Sequence, residues 1–242
     1  SAGNCNTTLS VSPSSLDCSD LGANSVTLAI SDGTSSDNTT VTVTVQDVTP
    51  PNFSSLPSLS KALDASGAGT IVPTDVGVLA NPADACTDNG DITFEIRRQS
   101  DASFGATVSV SCSDVGVPFN VVLRASDASG NTSVSDNIPV TVSDNTAPTI
   151  SSVTSGLTEV LSSAGAATIA ALDYITASDN CTASGSLTYE ISETSGSGFA
   201  STFAADCDDI GSKTFYFRVT DAAGNVSAES SESITIADNI SP

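Results

Sequence analysis

Polar and apolar residues alternate with period two along NSVTLAISD, FNVVLRASD and TFYFRVTD, and again along VTVTVQD, IPVTVSD and SITIAD. Alternation of this kind puts successive side chains on opposite faces, as half-buried strands require. In each case a polar loop, SDGTSSDN, ASDASGN or TDAAGN, separates the first strand from the second, which predicts a hairpin. The same alternation in ITFEIR, TVSVSC and LTYEIS brings the count to about seven short strands per repeat, that of an immunoglobulin-like sandwich. ATIAALDYITA has helix-like spacing, but its β-branched residues favour a strand.

These segments form a tandem repeat. Cys18-Ser-Asp-Leu-Gly, Cys112-Ser-Asp-Val-Gly and Cys207-Asp-Asp-Ile-Gly align, and the aspartates that close each repeat are Asp47, Asp144 and Asp238. The period is close to 95 residues. Each closing strand runs into a proline junction, at Pro50-Pro51, Pro148 and Pro242, where the preceding residue is pushed to extended geometry. The expected organisation is a partial repeat at 1–48 and whole repeats at 49–146 and 147–242. Together they make an all-β chain of tandem immunoglobulin-like β-sandwiches in an extended array, cut from a longer protein.

Composition sharpens the reading. Serine and threonine make up 72 of the 242 residues, while Met, Trp and His are absent, so each core is built mainly from Val, Ile, Leu and Ala. Such a core is thin, and small extracellular domains with thin cores recruit disulfides or metals. Cys86 to Cys112 and Cys181 to Cys207 span the same 26 positions, and Cys5 with Cys18 gives a shorter version. One bond inside each repeat is the simplest pairing. Disulfides place the chain outside a reducing cytoplasm.

A formal charge of −22 repels nucleic acid and anionic lipid head groups, and no apolar run is long enough to span a bilayer. The carboxylates have a second use. Calcium takes six to eight oxygen ligands, which Asp, Asn and backbone carbonyls in loops supply. If each closing aspartate meets the loops of the following repeat, Asp47 joins Asp84, Asp127 and Asn131, while Asp144 joins Asp179, Asn180, Asp221 and Asn225. Asp238 would await a further repeat. The competing reading is that Asp127-Ala-Ser-Gly-Asn131 and Asp221-Ala-Ala-Gly-Asn225 only shape tight turns, with glycine at positive φ.

Other motifs carry little. Asp84 to Glu95 has the length of an EF-hand loop but lacks its third-position oxygen and sixth-position glycine. Ser58-Leu-Ser-Lys61 has no companion motif, and without histidine nothing pairs a base with a nucleophile. Glycosylation sequons at Asn6, Asn38, Asn131, Asn180, Asn225 and Asn239 mark loops that could lie at the surface.

The Asp-Asn-Cys tripeptide, the SLDCSDLGANSVTL segment, the D-x-x-G-N loops and the closing VTVxD strand before proline together resemble hyaline-repeat-type and immunoglobulin-like modules. They look most like the tandem repeats of giant bacterial surface adhesins, the SprB-like gliding adhesins of Flavobacterium-type bacteria. The resemblance covers the second half of each repeat. It implies an exported adhesive filament at a bacterial cell surface, active in gliding or attachment. Its partners would be neighbouring repeats of the same chain and surface polysaccharide or other cell-surface proteins. Such modules often carry a further cysteine in the closing strand. Its absence here leaves Cys86 and Cys181 with only Cys112 and Cys207 as partners. The expected function is therefore structural and adhesive, not enzymatic. The alternatives are carbohydrate-binding or spacer domains of a secreted hydrolase and a self-assembling surface-layer subunit.

Overall fold

The computed structural model describes residues 6–54, 56–77 and 83–240. Among them every regular element is a strand or a 3-10 turn. Among the described residues no helix is long and apolar enough to cross a membrane. The chain divides into two compact units, one of residues 1–59, 71–108 and 119–140, the other of 60–70, 109–118 and 141–242.

The first unit opens with a three-stranded antiparallel sheet of β1 (Thr8–Ser12), β2 (Gly22–Ser31) and β3 (Ser36–Val45). Val26 pairs with Val41 and Leu9 with Ile30, so the apolar residues share one face. Val26 is buried there, while Leu9, Val11, Ile30, Val41 and Val43 are exposed.

The next strands are β4 (Leu59–Ala62), β5 (Ala68–Ile71), β6 (Thr93–Arg98), β7 (Val108–Ser111), β8 (Phe119–Ser126), β9 (Thr132–Val134) and β10 (Ile138–Ser143). In the first unit β8 lies between β6 and the start of β10, all antiparallel, with β9 also pairing to β8. Ile96, Val121, Leu123, Ala125, Ile138 and Val140 point into the core at 1% exposure or less. In the second unit the end of β4 meets the end of β10, where the Leu63 N–H donates to the Ser143 carbonyl at 3.0 Å.

The second unit continues with β11 (Thr149–Val153), β12 (Thr158–Val160), β13 (Ala166–Ala170), β14 (Ile175–Ser178), β15 (Thr188–Ser192), β16 (Thr202–Asp206), β17 (Gly211–Thr220) and β18 (Ser230–Ala237). One sheet has the order β12-β18-β17-β15, with β12 parallel to β18 and the rest antiparallel. The pairs β11-β14 and β13-β16 supply the other strands of the sandwich. The ATIAALDYITA segment forms β13, a 3-10 turn at Ala171–Asp173 and β14.

The core of this sandwich is mainly aliphatic, as expected, with three aromatic side chains among its fourteen buried residues. Phe215 and Phe217, alternate residues of β17, are fully buried with Tyr174, Ile191, Ile234 and Ile236. Phe203 meets Phe215 edge to face at 5.0 Å between ring centroids, and Tyr174 stacks on Phe217 at 6.1 Å. The Tyr174 hydroxyl donates to Glu159, which satisfies its one polar atom.

Candidate metal centre

Two kinds of turn build the site, and both occur twice. In the first, an aspartate folds over the residues that follow it. Asp84 Oδ1 accepts from the N–H groups of Cys86 and Thr87, both at 2.9 Å. Asp179 Oδ2 accepts from Cys181 at 3.0 Å and Thr182 at 2.7 Å. In the second, Asp127 Oδ1 accepts from the Asn131 N–H and Asp221 Oδ1 from the Asn225 N–H, both at 2.7 Å. Gly130 at φ 88° and Gly224 at φ 94° take the left-handed geometry these loops need. The Asp and Asn side chains therefore do shape the turns. Thr87 and Thr182 clamp one kind of turn to the other, their hydroxyls accepting from Ala128 N–H at 3.4 Å and Ala222 N–H at 3.1 Å.

The closing aspartate of the preceding repeat completes each constellation. The Asn225 side-chain amide donates to the Asp144 carbonyl at 3.1 Å and to Asp221 Oδ2 at 2.7 Å. The Asn131 amide makes the same pair of bonds, to the Asp47 carbonyl at 3.2 Å and Asp127 Oδ2 at 2.8 Å. Asp47, Asp84 and Asp127 then each offer an oxygen within 4.8 Å of the others, and so do Asp144, Asp179 and Asp221. The first group lies wholly within the first unit and the second group within the second.

These carboxylates are crowded, and three of them are shielded from water. Asp144 is 5% exposed, Asp221 6% and Asp127 7%. Two unit charges 4.8 Å apart repel by roughly 3 kcal/mol at an effective dielectric near 20, so three together strain the site. Burial pushes the Asp127 carboxyl up. Hydrogen bonds from the Asn131 side chain and from the backbone of Asn131, Ser129 and Gly130 outweigh that and hold it below the usual carboxylate range. Each of the other carboxylates keeps one oxygen on a backbone N–H, whereas Asp47 Oδ2, Asp84 Oδ2, Asp144 Oδ2 and Asp179 Oδ1 are buried with no hydrogen-bond partner. The side-chain oxygen of Asn180 is in the same condition, while its amide donates to Asp144 Oδ1 and the Asp64 carbonyl, both at 3.2 Å.

The remaining expectations divide. Asp238 accepts from the Ile240 N–H at 2.9 Å, as Asp47 and Asp144 do from Thr49 and Thr146, but it belongs to neither cluster. Asn131 and Asn225 present amide hydrogens to the carboxylates and so position them. The sequon asparagines 131, 180 and 225 are engaged in these bonds rather than standing free in surface loops. Glu95 pairs with Arg124 across β6 and β8. The clamping role of Thr87 and Thr182 went unnoticed in the sequence, although a Cys-Thr pair stands at the same place in both repeats.

The expected disulfide pairing is corrected. The bonds are Cys18–Cys86 and Cys112–Cys181, joining positions 68 and 69 residues apart, in place of Cys5–Cys18, Cys86–Cys112 and Cys181–Cys207. Their Cα separations of 5.0 and 5.1 Å are ordinary for a disulfide. Equal spacing misled because, with a period near 95, pairs 26 apart inside repeats and pairs 68 or 69 apart between successive repeats recur almost equally well. Each bond ties the 3-10 turn of one repeat to the Asp84 or Asp179 turn of the next. Gly67 permits this: a Cβ there would sit 2.5 Å from Cys112 Sγ. Cys207 occupies the corresponding 3-10 turn as an exposed free thiol, and Cys5 lies outside the described residues.

The fold and these turns define an all-β, tandem immunoglobulin-like β-sandwich protein whose disulfides belong to an oxidising, extracytoplasmic setting. No protein-family model and no curated protein matches the sequence. Among solved structures, an I-band fragment of titin is 12% identical, covering 90% of this chain and 75% of that one with a TM-score of 0.44. Extracellular domains 3–5 of Drosophila OTK are 10% identical, at 92% and 73% coverage and a TM-score of 0.39. Fibronectin(III)-like modules of Clostridium thermocellum CbhA are 16% identical, at 76% and 94% coverage and a TM-score of 0.29. Likenesses this distant carry no functional argument.

Proposed function

We propose that the chain is a structural and adhesive segment of a large secreted adhesin at a bacterial cell surface, its modules at 1–48, 49–146 and 147–242 serving as load-bearing spacers. The observation that carries this reading is that the same two fastenings recur from repeat to repeat. Disulfides join the 3-10 turns at Cys18 and Cys112 to the following repeat, and an asparagine amide holds the carbonyls of Asp47 and Asp144 to the following D-x-x-G-N loop. Such fastenings hold modules in series under load. The partners proposed are neighbouring repeats and, beyond them, surface polysaccharide or surface proteins. Antibody Fab fragments raised against the chain test the assignment on intact source cells. Surface labelling together with reduced attachment is the expected result. Antigen found only inside the cell, or in the medium bound to a hydrolase, would overturn it.

A further inference from the structure

An acidic cluster alone is a common surface feature; here a second observation points to an ion. Asp144 is 5% exposed, and its Oδ2 atom is buried with no hydrogen-bond partner, as are Asp179 Oδ1 and Asn180 Oδ1 beside it. In each of the three side chains the other polar atom is tied down, by Thr146 N–H, by Cys181 and Thr182 N–H, or by Asp64 and Asp144. The site therefore fixes one end of each group and leaves an oxygen desolvated without a donor, an arrangement that is costly unless a cation accepts the lone pairs. The chain has only six basic residues, and Arg124, Lys213 and Arg218 are paired with Glu95, with Glu193 and Asp209, and with Glu190.

We propose that Asp144, Asp179 and Asp221, with the Asn180 side-chain oxygen, hold a calcium ion, and that Asp47, Asp84 and Asp127 hold a second. All the donors are oxygens, which selects a hard cation. Ligand oxygens within 4.8 Å of one another fit the roughly 4.6–5.2 Å spanned by two oxygens on opposite sides of one calcium. Three carboxylates and an amide leave the remaining coordination to water, which places the affinity in the range of about 10⁻⁴–10⁻³ M found for extracellular calcium modules.

Calorimetric titration of the whole chain with calcium chloride tests the proposal independently of its role on a cell. Two ions per chain are expected, falling to one in Asp144→Asn/Asp179→Asn. The same variant should melt above the parent in chelator, where it relieves repulsion, and below it in millimolar calcium. Asp84→Asn repeats the test at the other site should the double variant not fold. Absence of heat and of any melting shift up to millimolar calcium would overturn the proposal. So would two ions still bound by the folded variants, or a variant more stable under both conditions.

Discussion

Asn225 offers a sharp test of how the second cluster is assembled, because its role depends on which end of the amide matters. Its Nδ2 donates to the Asp144 carbonyl at 3.1 Å and to Asp221 Oδ2 at 2.7 Å. A neutral hydrogen bond contributes about 0.5–1.5 kcal/mol and one to a charged group about 1.5–3 kcal/mol, so Asn225→Ala should cost about 2–4 kcal/mol. Asn225→Asp loses both bonds and sets a new carboxylate against Asp221, so it should cost more. An asparagine acting only as an oxygen ligand would tolerate aspartate better than alanine. Urea unfolding in chelator, followed by tyrosine fluorescence, reads the effect locally: Tyr174, Tyr189 and Tyr216 all lie in 147–242 and tryptophan is absent. With a urea slope of about 2 kcal/mol/M, the alanine midpoint should fall by about 1–2 M. An aspartate variant with the parent's midpoint would refute the positioning role.

Two further outcomes follow from the packing and the charges. Phe215→Ala, at a fully buried position beside Phe203, should lose about 3–5 kcal/mol in the same assay, and a loss below about 1 kcal/mol would contradict its central place in the core. Asp209, bonded by the Lys213 side chain, Asp32, bonded by the Ser35 and Thr34 N–H groups, and Asp17, bonded by the Ser19 hydroxyl and N–H, all have lowered pKa values. Because the unfolded carboxyls take up protons first as pH falls, the stability these groups give is complete above about pH 5 and is lost through and below about pH 4. Thermal melts from neutral to acid pH should show that loss, and Asp209→Asn should flatten it.

How far the sequence carries depends on which physical rule each feature obeys. TFYFRVT alternates because β17 has one buried face, so Phe215, Phe217 and Val219 could be placed inward from pattern alone. The closing aspartates and D-x-x-G-N loops could be placed on one another because a repeat brings its own end to the start of the next. Disulfide pairing was not legible, since the period makes pairing within and between repeats arithmetically equivalent and only the 5 Å approach of Cα atoms separates them. Nor could composition reveal that Tyr174, Phe215 and Phe217 are the buried aromatics, or that Asn225 gives its hydrogen atoms to the site. These depend on side-chain direction, which residue spacing does not encode.

The fastening of each repeat to the next is tested most directly by mapping the disulfides of the unreduced, alkylated protein with trypsin. Cleavage at Lys61, Arg97, Arg98, Arg124, Lys213 and Arg218 separates the relevant cysteines. Cys18–Cys86 would link fragment 1–61 to 62–97, and Cys112–Cys181 would link 99–124 to 125–213, with the alkyl label on Cys207. Fragment 62–97 linked instead to 99–124, with Cys207 unlabelled in 125–213, would contradict the fastening and return the bonds to the interior of each repeat.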